Sequence, residues 1–479
     1  MITLNALADF TLDAARQVAW EGEAVELGPR SKSAIGEAHA RFERLIEDPE
    51  ITIYGVTSGY GQNAKVRLSP EERKTHANRP PLPAAASWGD PLPDRVTRAI
   101  LFARLANIVE GHGGISLDLA EAVTQMLDGR PLPVIPARGQ GGAGEILSLS
   151  HLFMDLAASR EMAEKETVTL INGSPSATGL AVDAALAAAR RIEIAAEVLA
   201  LAAEGFNAPR GHYAEELDDY WNNPYDAWAL ERIRVLIDGG HGGERRPYQA
   251  PVSFRIIPRI LGQARLAADT LLHCAEESLA AVSDNPVLLP PDQDNPNGRA
   301  VSTGGFHNAQ APMVMDMVTA AYANLCCLAG RLADKSMDGA ISLLPPQLGA
   351  GEGRPYLGCL PMAITGYEEE ARSLATATLI PGSESGGFGQ NDVASPVFLA
   401  WSKQERAGGL LEQSLAALTP IALAALEITE RPVPAPLERL AEANGVHVPR
   451  DRENLMLGPA TGALAQWLRA RIYEPVAKP

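Results

Sequence analysis

Five long Ala/Leu-rich segments, at residues 176–206, 261–282, 309–334, 361–379 and 402–427, constrain this chain more than any other feature. Within them apolar residues recur at three-and-four spacing and fill most of the circumference, the pattern of helices buried on nearly all sides. Alternating β-branched runs, which a sheet needs, are nearly absent. The expected fold is all-α, a bundle of long helices larger than a four-helix protein. Residues 1–175 instead mix shorter helical stretches with Gly/Pro-rich connections at 79–93 and 130–144. The expected organisation is therefore a smaller, loop-rich N-terminal region (1–175) followed by the long-helix bundle and C-terminal helices (176–479). A second irregular stretch, 218–249, carries Tyr220, Trp221, Tyr225 and Trp228 and suits a cover over a site or a subunit contact.

Composition narrows the function classes. At 46% hydrophobic and 21% charged over 479 residues, the chain can bury a sizeable core and is not disordered. Asp plus Glu number 59 against 41 Lys plus Arg, a net charge of −18, and no basic run occurs, which argues against nucleic acid or an anionic membrane as partner. The most apolar charge-free run, 317–330, falls short of the roughly 20 residues that span a bilayer. Residues 1–20 lack a basic stretch followed by an apolar one, so the expected location is the cytoplasm. Cys274, Cys326, Cys327 and Cys359 show no CxxC spacing and are expected to be buried free thiols in a reducing compartment.

Several motifs can be set aside. Gly139, Gly141 and Gly144 match a dinucleotide fingerprint, yet three prolines and no strand precede them. Nine histidines show no HxxxH or HExxH pairing, so no metal site is expected. No nucleophile elbow or phosphate loop is present. Residues 54–61 place Tyr54 and Tyr60 among glycines; a loop tyrosine can serve as a base if nearby charge lowers its pKa, although the segment taken alone reads as an ordinary turn with packed aromatics. Arg255 sits among apolar residues and needs an anionic partner, from the protein or a substrate. Ser174 or Ser176, after Asn172 and Gly173, is the expected N-cap of the first long helix.

Taken in order, these segments resemble the aromatic amino acid ammonia-lyase and aminomutase family. Residues 54–61 resemble its YGVNTGFG loop, and Arg104 to Asn107 with Gly111 and Gly113 its RxNSxxxGxSG stretch. Residues 166–173 are similar to KEGLALxNG, 248–262 to QDxYSLRCxPQxxG, 283–286 to TDNP, 304–307 to GNFH, and 390–395 to a late QDxxS element. The resemblance covers roughly residues 10–430. It implies a mainly helical homotetramer with active sites shared between subunits, acting on a small amino-acid-like substrate. It further implies Tyr54 as the proton-abstracting base, Arg255 as the carboxylate partner, Asn172, Gln249 and Gln390 as polar supports, and Phe306 as a pocket wall. Tyr60 stands where the family usually has Phe and offers an optional hydroxyl. Glu369, within the Glu368–Glu370 run of an otherwise apolar helix, is a candidate acid, although the run better suits a solvated face or subunit ion pairs.

One departure bears on the chemistry. The family cyclises its own Ala-Ser-Gly backbone into an electrophilic methylidene-imidazolone. Here Gly142, Ala143 and Gly144 fall at that tripeptide, with Glu145 at the following Asp position, and residues 138–147 contain no serine. Without a hydroxyl to eliminate, the prosthetic group is expected to be absent. The expected function is then a carbon–nitrogen lyase that works without it, on an aromatic or histidine-derived amino acid or betaine. In lacking the group the chain is similar to ergothionase, a family relative that eliminates trimethylamine from a betaine. Two alternatives stay open: another proton-transfer reaction on the same scaffold (isomerase, cyclase or hydratase), and a non-catalytic amino-acid-binding paralogue.

Overall fold

Four of the five apolar segments form the four longest helices of the computed structural model, which describes residues 1–59, 61–80, 82–240, 245, 249–349, 356–378, 391–449 and 455–475. Strands β1 (Ile2–Leu4) and β2 (Val25–Leu27) pair in parallel around α1 (Leu12–Ala19), and α2 (Pro29–Ile46) follows. Next come α3 (Pro70–Ala77), α4 (Asp94–Ala106), α5 (Leu117–Gln125), α6 (Ile146–Ala158) and α7 (Glu166–Ile171). The first long helix is α8 (Pro175–Gly205), followed by α9 (Leu217–Trp221), α10 (Pro224–Leu236), α11 (Val252–Arg255) and α12 (Ile257–Leu279). A small antiparallel pair, β3 (Val287–Leu289) with β4 (Arg299–Val301), registers Val287 opposite Val301. Helices α13 (Gln310–Met337), α14 (Gly339–Ser342), α15 (Leu360–Leu374), α16 (Val397–Ile428), α17 (Glu438–His447) and α18 (Leu457–Ile472) complete the fold. The all-α expectation holds, with strands of only three residues.

Local chemistry sets the ends of these helices. Thr11 caps α1 by accepting the Ala14 N–H at 3.1 Å, and Ser69 with Glu72 forms a reciprocal capping box on α3. Asn223 caps α10, with Pro224 in its first turn.

Contacts divide the chain into two units: residues 1–186, 271–315 and 377–402 in the first, and 187–270, 316–376 and 403–479 in the second. This division does not follow the linear boundary at 175/176. Four of its five limits fall inside α8, α12, α13 and α16, because helices this long supply core positions to more than one layer of packing, and the fifth, at 376/377, follows α15. In the first unit α8 lies backbone to backbone on α4: a Cβ on Gly179 would stand 2.6 Å from the Ile100 nitrogen, so only glycine fits. In the second unit Arg191, 1% exposed, is held by Glu412 at 2.8 Å and Glu405 at 3.0 Å, with its guanidinium 5.7 Å from the Tyr322 ring centre.

Helices α13 and α16 are long and apolar enough to cross a membrane, but their apolar windows are 67% and 83% buried within the protein, as core helices are. All four cysteines are free. Cys274 and Cys326 are buried as expected, Cys327 is half-buried, and Cys359 is exposed because it precedes α15 instead of lying within it.

Candidate active site

Four of the sequence motifs converge in the first unit. Asn172, at the C-terminal end of α7, donates through Nδ2 to the Asn285 carbonyl at 2.8 Å and accepts the Gly173 N–H at 2.8 Å. Ser283 receives the Ser174 N–H at 3.0 Å on its hydroxyl and gives its own N–H to Asn107 at 2.5 Å. Asp284 is paired with Lys165 at 2.8 Å, both side chains fully buried, and Thr169 bridges Lys165 and the Gly113 carbonyl. Burial lowers the Lys165 pKa, while the Asp284 carboxylate opposes that shift. These bonds lock the segments at 104–113, 165–174 and 283–286 into one polar scaffold.

Arg104 lies at the bottom of it. The residue is completely buried, and its Nη2 donates to the Asn172 carbonyl, while Nε and Nη1 have no hydrogen-bond partner among the described residues. Burial lowers its pKa, against the raising influence of Asp284 and Glu145. A guanidinium placed between two carboxylates is tolerable in a low-dielectric interior only because of that compensation.

Gly142, Ala143 and Gly144 lead directly onto this scaffold. Gly144 adopts a left-handed φ of 69°, and a Cβ there would stand 2.9 Å from Asn172 Oδ1 and 3.6 Å from a Phe306 ring carbon. The tripeptide position, Asn172 and half-buried Phe306 thus form one neighbourhood.

Glu145 is the residue whose importance the sequence did not reveal. Its carboxylate accepts the Ser176 N–H at 2.5 Å and the Ala177 N–H at 2.7 Å, occupying the N-terminus of α8. The expected cap by Ser174 or Ser176 is replaced by this distant carboxylate, and the Ser176 hydroxyl instead meets that of Ser148 at 2.9 Å. An anion on a helix N-terminus is favoured by orphan N–H groups and the helix dipole. Desolvation nevertheless outweighs the Ala177 and Ser176 hydrogen bonds and nearby Arg104, and pushes the Glu145 pKa up to about 7. The only available signal was its place after the tripeptide, since a contact spanning 32 residues leaves no local pattern.

Tyr54 is half-buried on a turn that a satellite core holds in place. Phe42, Ile46, Ile53, Val56 and Leu288 pack together beneath it, and Thr57 accepts the Ile53 N–H at 2.7 Å. Gly55 takes the left-handed φ of 70° that the turn requires.

Arg255 belongs to the second unit, at the end of α11. Half-buried, it donates from Nε to the Ala250 carbonyl at 3.1 Å, and no carboxylate pairs with it among the described residues. His212 accepts the Ala250 N–H at 3.1 Å on Nε2; burial first, and the Arg255 cation second, lower its pKa and favour the neutral ring. Phe254 stacks on Phe206 with centres 3.9 Å apart, and its carbonyl accepts from the Tyr213 hydroxyl at 2.8 Å, which fixes the short helix carrying Arg255. Gln249 is exposed. On α15 Glu369 is exposed, whereas its neighbour Glu368 is buried, 3.7 Å from both Arg331 and Arg372. Tyr60 and Gln390 lie outside the described residues. No cluster of potential metal ligands occurs among the described residues.

The sequence profile of aromatic amino acid lyases matches residues 10–164 and 158–444. The chain belongs to the aromatic amino acid lyase family. Within that family it is 28% identical to a histidine ammonia-lyase of Streptomyces coelicolor, over 95% of this chain and 94% of the relative, and 29% identical to one of Streptomyces avermitilis over 88% and 86%. The fold is shared with ergothionase from Treponema denticola, solved in complex with desmethyl-ergothioneine sulfonic acid (TM-score 0.87, 18% identity, 97% and 98% coverage). It is also shared with tyrosine aminomutase from Streptomyces globisporus (TM-score 0.85, 22% identity, 97% and 96% coverage). As an aromatic amino acid lyase by family, the chain joins its scaffold at 104–113, 165–174 and 283–286 to the segment 142–145.

Proposed function

We propose that the protein is a carbon–nitrogen lyase that acts on an aromatic or histidine-derived amino acid or betaine without a methylidene-imidazolone group. The observation that carries this reading is Ala143, a methyl side chain where the family's cyclisation needs a hydroxyl, set beside a retained Asn172 and Phe306. Residues 142–144 do not fit the group. The hydroxyl of Ser148, the first serine that follows, lies on α6 and is engaged by the Glu145 carbonyl at 3.1 Å and by Ser176.

An elimination that lacks this electrophile needs a better leaving group or a more acidic β-proton. In the proposed reaction Tyr54 removes the β-proton, the C–H pair becomes the new C=C bond, and the C–N pair departs with nitrogen as a neutral amine. A quaternary ammonium leaves without a proton, and a heteroaromatic ring delocalises charge developing at the β-carbon. Arg255 holds the substrate carboxylate through its planar fork, Asn172 and Gln249 orient the substrate, and Phe306 walls the ring. Family resemblance supports a homotetramer as the working form. Names of relatives, histidine ammonia-lyase and ergothionase, support imidazole-bearing substrates as the first class to screen.

The test combines intact mass with a product screen. An unmodified mass, together with amine release from primary or trimethylated aromatic or imidazole amino acids, is the expected result. A mass lower by two waters, about 36 Da, would return the protein to the prosthetic-group chemistry of its family. An unmodified mass with a product but no released amine would point to another proton-transfer reaction.

A further inference from the structure

A cavity of about 250 Å³ lies wholly within the second unit, between α8, α10, α17 and α18. Its wall is almost entirely ionic, with four arginines (190, 232, 439 and 471) and three glutamates (193, 197 and 474). Three of the arginines are ion-paired: Arg232 with Glu193 at 2.9 Å, Arg471 with Glu197 at 2.6 Å, and Arg439 with Glu474 at 2.7 Å, Glu193 also lying 3.5 Å from Arg265. Arg471 and Arg439 are further steadied over the Trp467 ring, 5.1 and 5.6 Å from its centre. Arg190 is the surplus. Its Nη2 is enclosed yet has no hydrogen-bond partner among the described residues.

Two features of this arrangement point to a ligand. A guanidinium nitrogen withdrawn from water without an acceptor is costly, and an oxyanion that accepts from its fork relieves that cost. The surplus positive charge also stands out in a chain of net charge −18. The cavity is many times larger than the space one water needs and can take a small organic acid or phosphorylated molecule. The glutamates already spent on the other arginines leave room for one anionic group.

We propose that this cavity is a binding site for a small oxyanion, a carboxylate or phosphate group, gripped by Arg190. It is distinct from the residues of the proposed lyase site and does not depend on that reading.

Thermal unfolding of the full-length protein at constant ionic strength tests the proposal, with sodium chloride replaced stepwise by inorganic phosphate in one arm and by acetate in another. The expected result is a saturable rise in Tm, roughly a few degrees, with at least one oxyanion. Arg190→Gln should lose that rise while unfolding in chloride within about a degree of the wild-type temperature, because Arg190 makes no ion pair within 4 Å and forfeits only a longer-range attraction to Glu474. Arg190→Lys keeps the charge but not the fork, and should need several-fold more anion. A response to phosphate alone assigns a phosphate ligand, and one to acetate assigns a carboxylate. A wild-type curve identical to chloride, or a rise unchanged in either variant, overturns the site.

Discussion

Glu145 reaches Ala177: its Oε1 accepts the Ala177 amide N–H at 2.7 Å. With the adjoining bond to Ser176, this contact fastens the tripeptide position to the start of a 31-residue helix. Glu145→Ala should therefore cost about 1–2 kcal/mol, the usual worth of a helix cap, read as a fall in the urea midpoint.

The same carboxyl gives a pH signature. Its folded pKa of about 7 lies above its ordinary value of 4.5, so the folded state binds more protons between those limits. Its contribution is fully present below pH 4.5 and is lost as pH rises through 7. Glu145→Gln should remove that part of the loss, so the difference between wild-type and variant Tm should change from pH 5 to pH 8. An unchanged difference would show that Glu145 titrates normally.

Arg191 is the second structural test. Replacing it with Ala removes the buried cation between Glu405 and Glu412 and leaves them only the more exposed Arg469, 2.7 and 3.7 Å away. The expected loss is about 3 kcal/mol by chemical denaturation, the low end for a broken buried pair because Arg469 stays in place, whereas Arg190→Gln, one residue earlier, should be near neutral in chloride.

Lys165 and Asp284 should behave as a coupled pair. Either single change, Lys165→Met or Asp284→Leu, strands a buried charge and should cost about 3–5 kcal/mol. The double variant should be less damaged than the sum of the two, and simple additivity in a double-mutant cycle would refute the pairing.

For the proposed reaction, Tyr54→Phe should lower kcat about 10²–10⁴-fold with little change in Tm, as loss of a general base does. Arg255→Lys should act mainly on KM, because an ammonium cannot reproduce the two parallel bonds of a guanidinium to a carboxylate.

Much of this architecture could be read from residue spacing. The apolar stretch predicted at 176–206 is α8 at Pro175–Gly205, and that predicted at 309–334 is α13 at Gln310–Met337. Periodic burial is a local property, and local pattern reports it. The motif around Asn172 was legible too, but its bonds to Asn285 and Arg104 join residues 113 and 68 positions away. The capping of α8 was missed for the same reason: Ser174 and Ser176 are good local candidates, and a remote carboxylate displaced them. Arg255 was expected to need an anion, and among the described residues it donates to the Ala250 carbonyl with no carboxylate paired to it.

The tight seam between Gly179 and Ile100 bears on all of this. Backbone set against backbone acts as a datum from which the start of α8 is measured, with only the Ile100 side chain beside it. A slip of one residue along that seam displaces the helix by about 1.5 Å, half the length of the hydrogen bonds that Glu145 makes. Position 179 therefore calibrates the site from beneath, and natural variation there should be confined to the one amino acid without a side chain.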